Sequence, residues 1–135
     1  MVECPIFCYH GVSEEPRQWD VKPGDFREQV EWLDSNYSLM PLGEFFTRFH
    51  EEDLPEDPAV LTFDDGLKSS YRAADVLEDL GARATFYIIT GLMGELWDGA
   101  EVMSWSQVKE LDDRGHEVGA HTVSHPNLPK YSDSR

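Results

Sequence analysis

Two short segments of the chain concentrate side chains that could hold a metal ion and accept a proton. The first is Asp64-Asp65-Gly66, and the second runs from His121 to His125. Adjacent carboxylates repel each other unless a cation shares their site, and two imidazoles four residues apart suit metal ligation. Two His and one Asp leave coordination positions open, as catalytic metal sites do. The pattern predicts metal-assisted hydrolysis, with an Asp-Gly turn and a polar loop as the alternatives.

Predicted strands precede these segments and position them. Residues 59–63 form an unbroken apolar or β-branched run, which is typical of a buried parallel strand. Residues 117–120, Glu-Val-Gly-Ala, are expected to form a further strand that has His121 at its carboxyl end. A second short run, residues 5–9, ends directly before His10. In parallel sheets, ligand chemistry gathers at the carboxyl ends of the strands. We therefore expect both candidate segments and His10 to meet at one end of a sheet.

The segments between the predicted strands have the spacing of amphipathic helices. Apolar residues three and four apart indicate a helix over 26–36, with Asp25 as its N-cap, and a short helix near Leu42 that packs three phenylalanines. Further helices are expected over residues 69–80 and over residues 105–115. The resulting order, β-α-α-β-α-β-α-β, predicts an α/β fold with a parallel sheet, either open or barrel-shaped.

Composition limits the classes of partner. The 135 residues are enough for one domain, and 27 acidic against 11 basic residues give a net charge of −16. Phosphate neutralisation needs clustered cations, so nucleic acid and anionic membrane surfaces are not expected partners. No apolar run approaches the roughly 20 residues of a membrane span. The evenly acidic sequence is typical of halophilic proteins, and an ordinary acidic mesophilic protein is the alternative.

The amino-terminal segment carries both cysteines and no secretory signal pattern. It lacks a basic region followed by a long apolar run, so we expect a cytoplasmic protein, with an extracellular one as the alternative. Cys4 and Cys8 lie four apart in a predicted strand, which separates them by roughly 13 Å at 3.3 Å per residue. That separation is too long for a disulfide. We expect buried free thiols.

Both candidate segments resemble the motifs of a known family. Residues 61–66, Leu-Thr-Phe-Asp-Asp-Gly, resemble the first motif of the NodB-type polysaccharide deacetylases (carbohydrate esterase family 4), and residues 121–126, His-Thr-Val-Ser-His-Pro, resemble the second. The preceding residues 115–120 strengthen the similarity. The resemblance implies a distorted parallel (β/α) barrel and a metal-dependent hydrolase that removes acetyl groups from N-acetylated or O-acetylated carbohydrate.

The same resemblance implies a role for each site residue. Asp64 is implied as the general base and Thr122 as a residue that orders the loop. The implied metal ligands are Asp65, His121 and His125. Zinc suits this ligand set best, and cobalt, nickel, manganese and iron are alternatives.

The chain start resembles a subgroup of this family that acts on surface and biofilm poly-N-acetylglucosamine. In that subgroup a His after an early strand serves as the acid, so the resemblance of residues 5–10 implies His10 in this role; a plain loop residue is the alternative. Trp97 and Met93 lie in a predicted loop, and the sequence leaves open whether they face a substrate or the core. Which acetylated carbohydrate is the substrate also stays open.

The family's later motifs, which carry an Arg, an Asp with a Trp, and a Leu-x-His, have no counterpart before Arg135. A full (β/α)8 barrel needs roughly 250 residues. We therefore expect residues 1–135 to be a deacetylase domain truncated at its C-terminus, with an incomplete barrel. The alternatives are an inactive metal-bound carbohydrate-binding fragment and an incomplete domain that self-associates through its open sheet edge or needs a partner chain.

Overall fold

The computed structural model describes residues 2–131 and is built around a parallel β-sheet. The strands in chain order are β1 (Ile6–Tyr9), β2 (Ser38–Met40), β3 (Pro58–Phe63), β4 (Thr85–Ile88), β5 (Leu96–Trp97), β6 (Ala100–Glu101) and β7 (Glu117–Ala120). The main sheet has the order β1-β3-β4-β7, with β2 paired to the amino-terminal half of β3, and every pair is parallel. The predicted α/β fold is confirmed, and the arrangement is that of a partial barrel.

Among the described residues 2–131, five helices connect or cover the strands: α1 (Pro23–Asn36), α2 (Leu42–His50), α3 (Lys68–Tyr71), α4 (Ala73–Asp79) and α5 (Trp105–Asp113), followed by a 3-10 turn (Leu128–Lys130). Helix α1 begins three residues before the predicted position because Pro23 suits the first turn of a helix. Asp25 consequently lies inside the first turn, and the predicted N-cap was wrong. The helix predicted over residues 69–80 is divided into α3 and α4 at Arg72.

The core lies between the sheet and helices α1, α4 and α5. All six residues of β3 are buried, as its unbroken apolar run predicts. The rings of Phe63 and Phe86, from adjacent strands, stack with centroids 4.6 Å apart. Burial of these large side chains supplies most of the stabilisation that fixes the strand ends.

Helix α2 is attached to the sheet through its first turn. None of its residues is fully buried, and the side chains of Phe46 and Phe49 are about half exposed, so the expected packing of its phenylalanines was wrong. The N–H of Gly43 instead donates to Glu117 Oε2 at 2.8 Å, and the N–H of Leu42 donates to Thr85 Oγ1 at 2.9 Å. These bonds satisfy donors that a helix amino terminus leaves free.

Both cysteines are free thiols, as expected, but their predicted burial was wrong. Cys8 is exposed and Cys4 is half-buried. The reason is the alternation of side chains along β1, which turns Phe7 and Tyr9 toward the helices and leaves Cys8 on the other face.

Within residues 2–131 we find no helix with the length and apolarity needed to cross a membrane.

Candidate metal and catalytic site

The carboxyl end of β3 places two adjacent aspartates in different surroundings. The N–H of Asp64 donates to Tyr9 O at 2.8 Å, which continues the pairing of β3 with β1. The backbone then enters the left-handed region, with φ of 72° at Asp65 and 64° at Gly66. A non-glycine residue in this region is uncommon and strained. The turn therefore separates the two carboxylates, which would otherwise repel each other at close range.

The Asp65 carboxylate faces two imidazoles. Its Oδ1 atom lies 3.5 Å from His121 Nε2 and 3.4 Å from His125 Nε2. Asp65 is buried, and Oδ1 has no hydrogen-bond partner within the described part of the chain. A buried polar atom without a partner costs roughly 1–3 kcal/mol. One oxygen and two nitrogen donors, all within 4.8 Å of one another, fit a divalent metal ion, which would satisfy this atom.

The hydrogen bonds that continue past the ends of β4 and β7 position His121. Its N–H donates to Ile88 O at 2.7 Å, and two further bonds join residues 90–91 to residues 122–123. Gly91 is required at this crossing, because a Cβ atom there would lie 2.4 Å from Val123 O. The first residues of the loop that carries the second motif are therefore hydrogen-bonded to the segment that follows β4.

A tight turn brings His125 back toward His121. The hydroxyl of Thr122 accepts a hydrogen bond from the His125 N–H at 2.9 Å. Both residues have positive φ, 63° at Thr122 and 51° at His125. The two imidazole rings consequently lie with centroids 5.1 Å apart, which lets both reach the same carboxylate oxygen.

Asp64 belongs to a different group of side chains. One ligand atom from each of Cys8, His10 and Asp64 lies within 4.8 Å of the others. Desolvation by the surrounding strands and the negative charge of Asp64 raise the pKa of the Cys8 thiol. Cys8 was not predicted to lie at the site, although its position two residues before His10 on a strand places both side chains on one face.

An antiparallel hairpin formed by β5 and β6 borders the two imidazoles. Its turn, at Asp98 and Gly99, has positive φ at both positions, as tight hairpin turns require. The Trp97 ring lies 4.7 Å from the His125 ring, centroid to centroid. Trp97 therefore lies at the site, whereas Met93 packs against the core. A second indole, Trp19, is exposed and lies 6.2 Å from the His10 ring.

The structure thus gathers all six residues that the sequence singled out at one end of the sheet, in two groups. Asp65 is grouped with His121 and His125, and Thr122 closes their loop. The second group is Asp64 with His10, joined by the unpredicted Cys8.

Comparison with known proteins gives a consistent result. A family profile described as polysaccharide deacetylase matches residues 51–135. The chain is 29% identical to the poly-beta-1,6-N-acetyl-D-glucosamine N-deacetylase of Staphylococcus aureus (strain MRSA252) over 131 residues, which cover 94% of this chain and 45% of that protein. It spans about half the length of the curated relatives it matches.

Solved structures agree. IcaB from Ammonifex degensii superposes with a TM-score of 0.82 at 28% identity, over 96% of this chain and 56% of that one. The deacetylase PplD of Streptococcus pyogenes, solved in complex with acetate, gives a TM-score of 0.79 at 31% identity, over 97% of this chain and 61% of that one. With matching motifs, fold and family profile, the chain belongs to the polysaccharide deacetylase family.

Proposed function

We propose that this chain carries the metal-binding and proton-transfer groups of a hydrolase that removes acetyl groups from an acetylated carbohydrate, and that residues 1–135 form the amino-terminal part of one deacetylase domain. The observation that carries the proposal is the division of two adjacent carboxylates: Asp65 faces His121 and His125, and Asp64 lies with His10. A metal-dependent deacetylase needs residues that hold the metal ion and a separate group that accepts a proton from the attacking water, both close to the acetyl group.

Asp65, His121 and His125 are proposed to hold a divalent ion, for which zinc is the best fit to one carboxylate and two imidazoles. When bound, such an ion supplies Lewis-acid chemistry, because it polarises an acyl oxygen and acidifies water. The protein's own contribution is to hold the three donors together before binding, and the strained loop at Thr122 and His125 serves this purpose.

Asp64 is proposed to act as the general base. Its carboxylate accepts a proton from the attacking water while the water oxygen forms a bond to the acetyl carbon. The carbon–nitrogen bond then breaks, and His10 donates a proton to the departing amine. The products are acetate and a free amino sugar. The name of the Staphylococcus relative, an N-deacetylase of poly-N-acetylglucosamine, supports an N-acetylated polymer as the substrate class.

Two conservative substitutions test this division of roles. In Asp64→Asn reconstituted with one molar equivalent of zinc, we expect the zinc content to equal that of the parent chain treated in the same way, while acetate release from an N-acetylglucosamine oligomer falls by the roughly 10²–10⁴-fold typical of a lost general base. In Asp65→Asn, the zinc content itself should fall, and added zinc should restore part of the rate. Asp34→Asn, an exposed aspartate on α1, is the matched control.

Elemental analysis of zinc-reconstituted protein and an acetate assay provide the two readouts. An Asp64→Asn variant that fails to retain this single equivalent of zinc would show that the two carboxylates have been assigned to the wrong roles. A zinc-loaded parent chain that releases no acetate would contradict the proposed activity.

A further inference from the structure

The thiol of Cys8 has no part in the proposed reaction, yet it lies beside two residues that do. The Cys8 sulfur, a His10 nitrogen and an Asp64 oxygen lie within 4.8 Å of one another. Cys8 is exposed, and the other two residues are half-buried, so the group is open to solvent. A thiol, an imidazole and a carboxylate at this spacing supply three ligands for a transition-metal ion and leave a fourth position for water.

The backbone fixes this spacing. Cys8 pairs with Thr62 in the parallel register of β1 and β3, and the Asp64 N–H donates to Tyr9 O at 2.8 Å just beyond it. Cys8 and His10 are two residues apart along β1 and its extension, so their side chains lie on the same face. The group therefore needs little ordering to receive an ion, which lowers the entropic cost of binding.

We propose that Cys8, His10 and Asp64 form a second metal site, separate from Asp65, His121 and His125, that takes a soft divalent cation such as cadmium or zinc. Thiolate and imidazole ligands select these ions over magnesium and calcium. The thiol proton leaves to solvent when the sulfur binds the ion.

Occupancy of this second site has a consequence for catalysis that rests on the proposed function. An ion held by Asp64 uses the lone pairs that the base needs to accept a proton, so it inhibits acetate release. Asp64 and Asp65 are adjacent, so two bound dications repel each other and the second ion binds more weakly than the first. In the zinc-loaded chain, inhibition is thus expected at higher cation concentrations than those that fill the second site of the metal-free chain.

Cadmium alone tests the site, because a cadmium–thiolate bond has an ultraviolet charge-transfer band that cadmium bound to imidazole and carboxylate lacks. Titration of the metal-free full chain should produce this band in the parent and in Cys4→Ser, which removes the other cysteine. The band should be absent in Cys8→Ser and retained in His121→Ala. In His10→Ala and Asp64→Asn, the affinity measured from the band should fall by at least about 10-fold.

A thiolate band that survives in Cys8→Ser, or an affinity that is unchanged in both His10→Ala and Asp64→Asn, would overturn the proposal. In the acetate assay, excess cadmium should inhibit the zinc-loaded parent and Cys4→Ser, and Cys8→Ser should resist inhibition. A zinc-loaded parent without activity would contradict the proposed function but not the second metal site. The absorption titration measures cation binding to that site and does not depend on activity.

Discussion

The hydroxyl oxygen of Thr122 lies 2.9 Å from the backbone nitrogen of His125 and accepts its hydrogen bond, while both residues occupy the left-handed region of backbone conformation. The bond holds a strained four-residue turn in which the second imidazole faces the first. Positive φ at a β-branched residue is costly, so the surrounding contacts must stabilise this turn. The position of His125 therefore depends on a side chain that itself lies outside the proposed ligand set.

Removal of this hydroxyl should weaken metal binding without removing a ligand. We expect Thr122→Val to lower zinc affinity by roughly 10–100-fold, the range found when partners of metal ligands are lost. Thr122→Ser keeps the acceptor and should stay near the parent value. Competition with a chromophoric chelator measures both affinities. Equal affinities in Thr122→Val and Thr122→Ser would show that the hydrogen bond does not position His125.

The Trp97 ring beside His125 should contact a bound saccharide. A pair of aromatic side chains contributes roughly 0.5–1.5 kcal/mol. With a contribution of the same size from the contact between the indole and a sugar ring, we expect Trp97→Ala to raise the KM for an N-acetylglucosamine oligomer by about 2- to 10-fold. Trp97→Phe should recover part of this loss. Trp32→Ala is the control, because Trp32 is exposed on α1. A reduced kcat with unchanged KM would instead assign Trp97 to the support of His125.

Buried His116 should make the fold sensitive to mild acid. Its Nδ1 accepts a hydrogen bond from the Ala84 N–H at 3.2 Å, and its Nε2 lies 3.5 Å from Glu78 Oε1. Burial lowers the pKa of His116 below its ordinary value, despite the opposing effect of Glu78. The unfolded chain therefore binds more protons as pH falls through about 6.5, and the free energy of unfolding decreases from there down to the folded-state pKa.

Denaturant titrations at pH 7.5 and pH 5.5 check this effect. We expect the decrease in unfolding free energy between the two pH values to be smaller in His116→Gln than in the parent. His50→Gln, an exposed histidine on α2, should show the same decrease as the parent. If all three proteins lose equal stability, the acid sensitivity arises from other groups.

The net charge of −16 should make the protein more stable in concentrated salt. Like-charge repulsion is screened over about 3 Å at 1 M salt, against about 10 Å at 0.1 M. Attractive pairs are screened too, including Arg114 with Asp75 and Glu78 at 2.5 and 2.7 Å. Because acidic residues outnumber basic ones, we expect repulsion to dominate and Tm to rise by several degrees, where roughly 1 kcal/mol corresponds to 2–8 °C.

Thermal unfolding in 0.1 M and 2 M KCl tests the salt prediction. Sucrose at matched osmolality is the control, because an uncharged solute that is excluded from the protein surface also raises Tm. A Tm that rises equally in both solutes, or not at all in KCl, would favour an ordinary acidic protein over a salt-adapted one.

The sequence predicted the strand that ends at the two aspartates because an unbroken apolar run is a strong signal. The run ending at Phe63 and the strand expected before His121 were both placed correctly. Strand β2, at Ser38–Met40, was missed because three residues are too few to show a period. The β5–β6 hairpin was also missed, although Asp98-Gly99 is a recognised signal for such a turn.

The residue types predicted which side chains come together at the site, but they did not predict that these side chains form two separate groups. Asp64 and Asp65 are identical in type and adjacent in sequence, and the turn that separates them depends on positive φ at Asp65. Hydrophobic periodicity carries no information about such backbone states. Cys8 was misjudged for a related reason: cysteine is usually buried, and its exposure here depends on the face of β1 that the helices leave uncovered.

The contact between Glu117 and the first turn of α2 links a peripheral helix to the strand that ends at His121. Since α2 has no fully buried residue, its amide protection in hydrogen exchange should depend largely on this carboxylate and on Thr85. Local opening of β7 would remove the Glu117 contact, so amide protection in the first turn of the helix should fall together with that of β7. An ion that stabilises the carboxyl end of β7 should therefore slow exchange in a helix that contacts no ligand.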